Sequence, residues 1–124
     1  MRFQKIHHIA IIGSDYTRTK KFYVDQLGFQ VLADHKRKSD RKLDLTNGEI
    51  ELEIFIKANS PTRPSYPEAL GLRHLAFKVA SVVETSAWLN DQGIKTEPIR
   101  KDAFTNEAMT FFFDPDGLPL EIHE

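Results

Sequence analysis

One feature constrains this chain more than any other: the landmarks of its first half return in its second, in one order and at nearly one spacing. His7-His8-Ile9-Ala10-Ile11 opens one half and Arg73-His74-Leu75-Ala76-Phe77 opens the other. Each is a histidine followed by apolar, alanine, apolar. Gly28 lies 20 residues after His8, and Gly93 lies 19 after His74. Each half closes on the same tripeptide, Leu52-Glu53-Ile54 and Leu120-Glu121-Ile122, so the spacing from His to Glu is 45 residues and then 47. Asn47-Gly48 precedes the first Glu, and Asp116-Gly117 precedes the second. Such self-similarity marks a duplicated supersecondary unit. A unit of roughly 50 residues buries too little apolar surface to stand alone. The two must therefore pair, within one chain or between chains.

Each half reads strand, helix, then strands. Residues 6–12 are rich in β-branched types and predict a strand. Asp15 stands where an N-cap belongs, and residues 16–27 follow as a helix that Gly28 ends, since a positive φ costs glycine little. Residues 29–33 predict a second strand, and the basic stretch 36–42 a turn or exposed loop. Residues 42–46 and 49–56 flank Asn47-Gly48, a two-residue hairpin signal. Pro61, Pro64 and Pro67 mark residues 58–70 as a linker. In the second half, residues 72–79 predict a strand, and Ser81 with Glu84 makes a capping box for a helix through Gln92. Residues 94–98 predict a short strand, and residues 109–113 and 118–123 a hairpin. The fold class is α+β: two βαβββ modules pairing into a curved mixed sheet around a shared cleft, with the helices outside. Module 1 spans about residues 4–57, the linker 58–70 and module 2 71–124 of one domain.

Composition narrows the chemistry. Seventeen basic and eighteen acidic residues leave a formal net charge of -1 in 124 residues, without the basic excess that nucleic acid demands. The absence of cysteine excludes disulfides, thiolate zinc sites, iron–sulfur clusters and cysteine nucleophiles. The apolar run at residues 9–12 is too short for a membrane span or a signal peptide, so a cytoplasmic protein is expected.

Strand side chains alternate faces. His8 shares a face with Ala10 and Ile12, and His74 with Ala76, while Ile9, Ile11, Leu75 and Phe77 point the other way. Each histidine thus has an alanine as its next same-side neighbour, which leaves room. Glu53 lies opposite Leu52 and Ile54, and Glu121 opposite Leu120 and Ile122. Taken singly, such a histidine reads as a hydrogen-bonded structural residue and such a glutamate as a solvated one. Taken as a repeat, His8, Glu53, His74 and Glu121 fall at equivalent places, where a pseudo-two-fold would make them converge. Two carboxylates cancel a 2+ charge, and neutral imidazoles favour Zn, Ni, Co, Mn or Fe(II) over Ca or Mg. Phe111 and Phe113 share a strand face as core or pocket lining. Arg73 reads as a salt-bridge residue and His123 as a non-ligand. Lys36, Arg37, Lys38, Arg41 and Lys42 form a solvated loop or an attraction for an anionic substrate.

At these residues the chain resembles the vicinal oxygen chelate superfamily, which includes glyoxalase I. The resemblance spans the chain: His8-Ile9-Ala10-Ile11 with Asp15 seven residues after His8, Lys21-Phe22-Tyr23 through Leu27-Gly28-Phe29, Gly71-Leu72-Arg73-His74-Leu75-Ala76-Phe77, and Asp114-Pro115-Asp116-Gly117 followed by Leu120-Glu121. It implies the glyoxalase/bleomycin-resistance/dioxygenase-type fold around a metal-containing cleft. The implied ligands are His8, Glu53, His74 and Glu121, holding a divalent ion, Zn or Ni foremost and Mn, Co or Fe as alternatives. Ring-cleaving dioxygenases of the superfamily use two histidines and one glutamate, whereas His, Glu, His, Glu is the glyoxalase I arrangement. The implied reaction is a lyase or isomerase step on the thiol hemithioacetal of a 2-oxoaldehyde, through an enediolate, with Glu121 as base and Glu53 assisting. A small-molecule substrate, a thiol cosubstrate and a homodimer follow, each site taking His8 and Glu53 from one chain and His74 and Glu121 from the other. Glutathione-using members tend to carry Arg four residues after the first ligand and Asn four after the second; here stand Ile12 and Lys57. A metal-dependent thiol transferase of the antibiotic-resistance kind, a dioxygenase and a non-catalytic small-molecule-binding protein are the alternatives on this scaffold.

Overall fold

Alternating apolar and polar residues give each half a sheet with one dry face, and the computed structural model describes this over residues 1–124. The chain divides into two units, Met1–Pro61 and Thr62–Glu124. The first contains β1 (Ile9–Gly13), α1 (Tyr16–Lys20) continued by a π-helical stretch (Lys21–Gln26), β2 (Gln30–Lys36), β3 (Arg41–Thr46) and β4 (Glu51–Ile56). Its sheet runs β1-β4-β3-β2, with β1 parallel to β4 and the other pairs antiparallel. Leu43 and Leu45 of β3 and Leu52 and Ile54 of β4 are fully buried on one face, joined by Ile11, Phe22 and Tyr23. Each such side chain contributes about 1.5–3 kcal/mol by leaving water. Asp15 caps α1 by accepting the Arg18 amide at 2.8 Å. Gly13 allows the helix to approach β1, since a Cβ there would stand 2.9 Å from Thr19 Oγ1.

The second unit repeats the plan with β5 (Leu75–Lys78), α2 (Val82–Asp91), β6 (Arg100–Lys101), β7 (Ala108–Phe113) and β8 (Pro119–His123), in the sheet order β5-β8-β7-β6. Val82 and Leu89 of α2, Thr110 and Phe112 of β7, and Leu120 and Ile122 of β8 form its core. Ser81 Oγ accepts the Glu84 amide at 3.2 Å, the cap its sequence predicts. No helix is long and apolar enough to cross a membrane.

The structure departs from the sequence reading in five places. The basic stretch 36–42 is not all loop, since β2 runs on to Lys36 and β3 starts at Arg41, which pair across the turn. The first helix ends in a π-helical stretch, where Leu27 donates to the Phe22 carbonyl at 2.9 Å. β1 and β5 begin at Ile9 and Leu75, because their parallel partners supply ladder groups only from Leu52 and Leu120 onward. His8 and His74 therefore lead into the strands rather than lie within them. The Asn47-Gly48 loop has four residues, not two. Thr46 pairs Glu51, and Asn47 Oδ1 accepts the Glu49 and Ile50 amides at 3.0 Å. Finally, residues 94–98 form no strand. Glu97 bonds the Phe111 carbonyl at 2.9 Å, but Pro98 has no N–H to offer a ladder, and pairing resumes at Arg100–Lys101.

Candidate metal centre

In the first unit, β4 carries Glu53 between Ala10 of β1 and Asp44 of β3. Ala10 has only a methyl group on this face. His8, two residues earlier, reaches past it and brings Nδ1 to 3.3 Å from Glu53 Oε2. His8 Nδ1 also lies 2.9 Å from His7 Nδ1, so one ring donates and the other accepts. Lys42 Nζ stands 2.8 Å from Glu53 Oε1 and 3.4 Å from Asp44 Oδ1. The Lys42 hydrogen bond first, and the His8 ring after it, hold the Glu53 carboxyl below the usual carboxylate range.

The second unit builds the same pair on the same register. Glu121 of β8 lies between Ala76 and Phe111, and His74 Nε2 stands 3.2 Å from Glu121 Oε2. Phe111 meets the His74 ring edge-on at 5.0 Å between centroids. Glu121 is buried, and His74 Nδ1 is buried without a hydrogen-bond partner.

The separations of 3.3 and 3.2 Å are those of long His–Glu hydrogen bonds or ion pairs. In each unit the pair offers one imidazole and one carboxylate, donor types that fit a divalent transition ion. No third His, Asp or Glu joins either pair to make a metal-holding group by itself.

With this geometry in view, comparison with known proteins is decisive for the family. The sequence matches the model of the Glyoxalase/Bleomycin resistance protein/Dioxygenase superfamily over residues 5–122. The chain belongs to this superfamily. The uncharacterized protein YwkD of Bacillus subtilis is 51% identical, across 100% of this chain and 99% of its own. The crystal structure of a glyoxalase family protein from Enterococcus faecalis superposes with a TM-score of 0.96 at 63% identity, covering 100% of both chains. Metallothiol transferase FosB of Staphylococcus saprophyticus is 27% identical, over 97% of this chain and 76% of its own.

Superfamily members commonly use a divalent metal ion, and the remaining side chains can be sorted against that. Most of the basic stretch has acidic partners: Arg37 pairs with Asp40, Arg41 with Asp34 at 2.8 Å, and Lys42 with Glu53. Arg73 pairs with Glu68 at 3.8 Å and donates to the Tyr66 hydroxyl at 3.0 Å. His123 stands between Asp102 at 3.7 Å and Glu107 at 3.5 Å. Phe112 is core, while Phe111 shares the outer face with Glu121. Lys42, which the sequence puts both at the end of the basic stretch and at the start of the strand 42–46, stands on β3, two residues from the partner of Glu53.

Proposed function

We propose that this chain is a metal-dependent lyase or isomerase of glyoxalase type, acting on the thiol hemithioacetal of a 2-oxoaldehyde. The observation that carries the reading is the duplicated His–Glu pair, with nitrogen and oxygen 3.3 and 3.2 Å apart at equivalent registers. Four ligands then come from His8, Glu53, His74 and Glu121, two from each module. In a homodimer each centre takes His8 and Glu53 from one chain and His74 and Glu121 from the other. Tyr66, Leu70 and Leu72, exposed apolar residues around the linker, suit that arrangement.

When bound, the divalent ion, Zn or Ni foremost, supplies Lewis-acid polarisation of adjacent substrate oxygens. The chain's own residues do the rest. Glu121 takes the proton from the carbon bearing sulfur and oxygen and returns it to the neighbouring carbon, giving the 2-hydroxyacyl thioester with no atom gained or lost. General base catalysis of this kind contributes roughly 10²- to 10⁴-fold. Glu53 assists from the opposite side, and Phe111 packs edge-on against the His74 ring. Glu121→Gln should retain metal and lose turnover by that factor when 2-oxoaldehydes are screened with several thiols. Full activity in this variant would refute the assignment.

The likeness to a metallothiol transferase supports a second reading, attack of a thiol on an electrophilic antibiotic. Ile12 and Lys57, which replace the pattern of glutathione users, suit either a different thiol or this reaction. Thiol consumption with an electrophilic antibiotic, and none with 2-oxoaldehydes, would favour it.

A further inference from the structure

The two glutamates occupy equivalent registers, but only one is held by a cation. Glu53 divides its oxygens: Oε2 faces His8 Nδ1 at 3.3 Å, and Oε1 accepts from Lys42 Nζ at 2.8 Å. Lys42 is itself held on the outer face of β3, 3.4 Å from Asp44 Oδ1 and 5.8 Å from the Phe55 ring centroid. The second unit has no counterpart. Where β3 places Lys42 and Asp44, β7 places Met109 and Phe111 at the same registers. Glu121 meets the His74 ring and no lysine or arginine.

We infer that Lys42 is a positioning residue for the metal. By holding Oε1 it presents Oε2 as a single-oxygen ligand beside His8, which makes Glu53 the fixed carboxylate and leaves Glu121 the one free to move with a proton. This inference rests on the metal reading above. It also separates two roles that Lys42 could play. A lysine that merely repelled the ion would weaken binding, and its removal would tighten it. A lysine that orients a ligand strengthens binding, because partners of metal ligands typically contribute 10- to 100-fold in affinity. The use of different oxygens by Lys42 and His8 favours orientation, since the ammonium does not occupy the oxygen on the His8 side.

The test is titration of metal-free, full-length protein with Zn(II) and Co(II) against a chromophoric chelator, with the visible spectrum of the cobalt form recorded. The proteins are wild type, Lys42→Met, Lys42→Gln, Lys42→Arg and Asp44→Asn, each checked by thermal melting. Lys42→Met and Lys42→Gln should bind roughly 10- to 100-fold more weakly, Lys42→Arg should restore affinity, and Asp44→Asn should stay near wild type. The cobalt bands should change in Lys42→Met, because the released carboxylate no longer presents Oε2 in one fixed orientation, and stay unchanged in Asp44→Asn. Equal or tighter binding by Lys42→Met, or an unaltered cobalt spectrum, overturns the positioning role while the metal reading stands. No metal uptake by wild type overturns the metal reading, and the role of Lys42 with it.

Discussion

Asp114 does at one residue what the Asp114-Pro115-Asp116-Gly117 motif is for. Its buried carboxylate accepts the Asp116 and Leu118 amides, each at 2.9 Å, and so fixes the turn from which β8 and Glu121 depart. Asp114→Ala leaves both amides without that partner. It should destabilise the protein by about 1–3 kcal/mol, read as a lower urea midpoint at unchanged slope. The pairing of His8 with Glu53 and of His74 with Glu121 is legible in the sequence, because the repeat sets them at matched positions. Lys42 was not legible as their neighbour, because a basic run reads as solvated loop. The signal was nonetheless there. A two-residue turn at Asn47-Gly48 would set Lys42 across from Glu53, and the four-residue loop sets Asp44 there instead. Both registers keep Lys42, Asp44 and Glu53 on one face, because side chains alternate with period two.

At the scale of elements, the first helix is tied to its sheet by a group that no motif announces. Tyr16 of α1 donates to Asp34 Oδ2 at 2.6 Å, and Arg41 of β3 donates to Asp34 Oδ1 at 2.8 Å and Oδ2 at 3.0 Å. The Arg41 guanidinium also lies 3.4 Å from the Tyr16 ring centroid. The Arg41 bonds first, and the Tyr16 bond second, hold the Asp34 carboxyl below the usual carboxylate range. The sign follows from linkage. A carboxyl more acidic in the folded state contributes stability that is complete above its unfolded pKa of about 3.9 and lost as pH falls through the lower folded value. Thermal melts from pH 6 downward should therefore show wild type losing stability in that acid window, and Asp34→Asn should flatten this part of the curve. An identical acid dependence in both proteins would refute the coupling. Both caps were legible in sequence, since Asp15 and Ser81 precede helical runs. The π-helical stretch, which buries Phe22 and Tyr23, was not, since no residue in it marks the wider turn.

For the whole molecule, the repeat read in the sequence returns as one strand order in both units, β1-β4-β3-β2 and β5-β8-β7-β6. Duplication is legible because each unit must bury the same kind of face, and Leu52-Glu53-Ile54 and Leu120-Glu121-Ile122 record it residue by residue. The substrate is not legible in the same way, since loops and pocket shape set it, and Ile12 and Lys57 mark only a departure from one pattern. The most direct measurement is metal content of the full chain purified without added metal, for wild type, His8→Ala and His74→Ala. One ion per chain is expected in wild type, and each single variant should lose it, because one centre draws a histidine from each module. Added Zn or Ni should also raise the melting temperature of metal-free wild type, by mass action on the folded state. No metal in wild type, together with no thermal shift on adding Zn, Ni, Mn or Fe(II), would contradict the metal centre and leave the two His–Glu pairs as ordinary ion pairs.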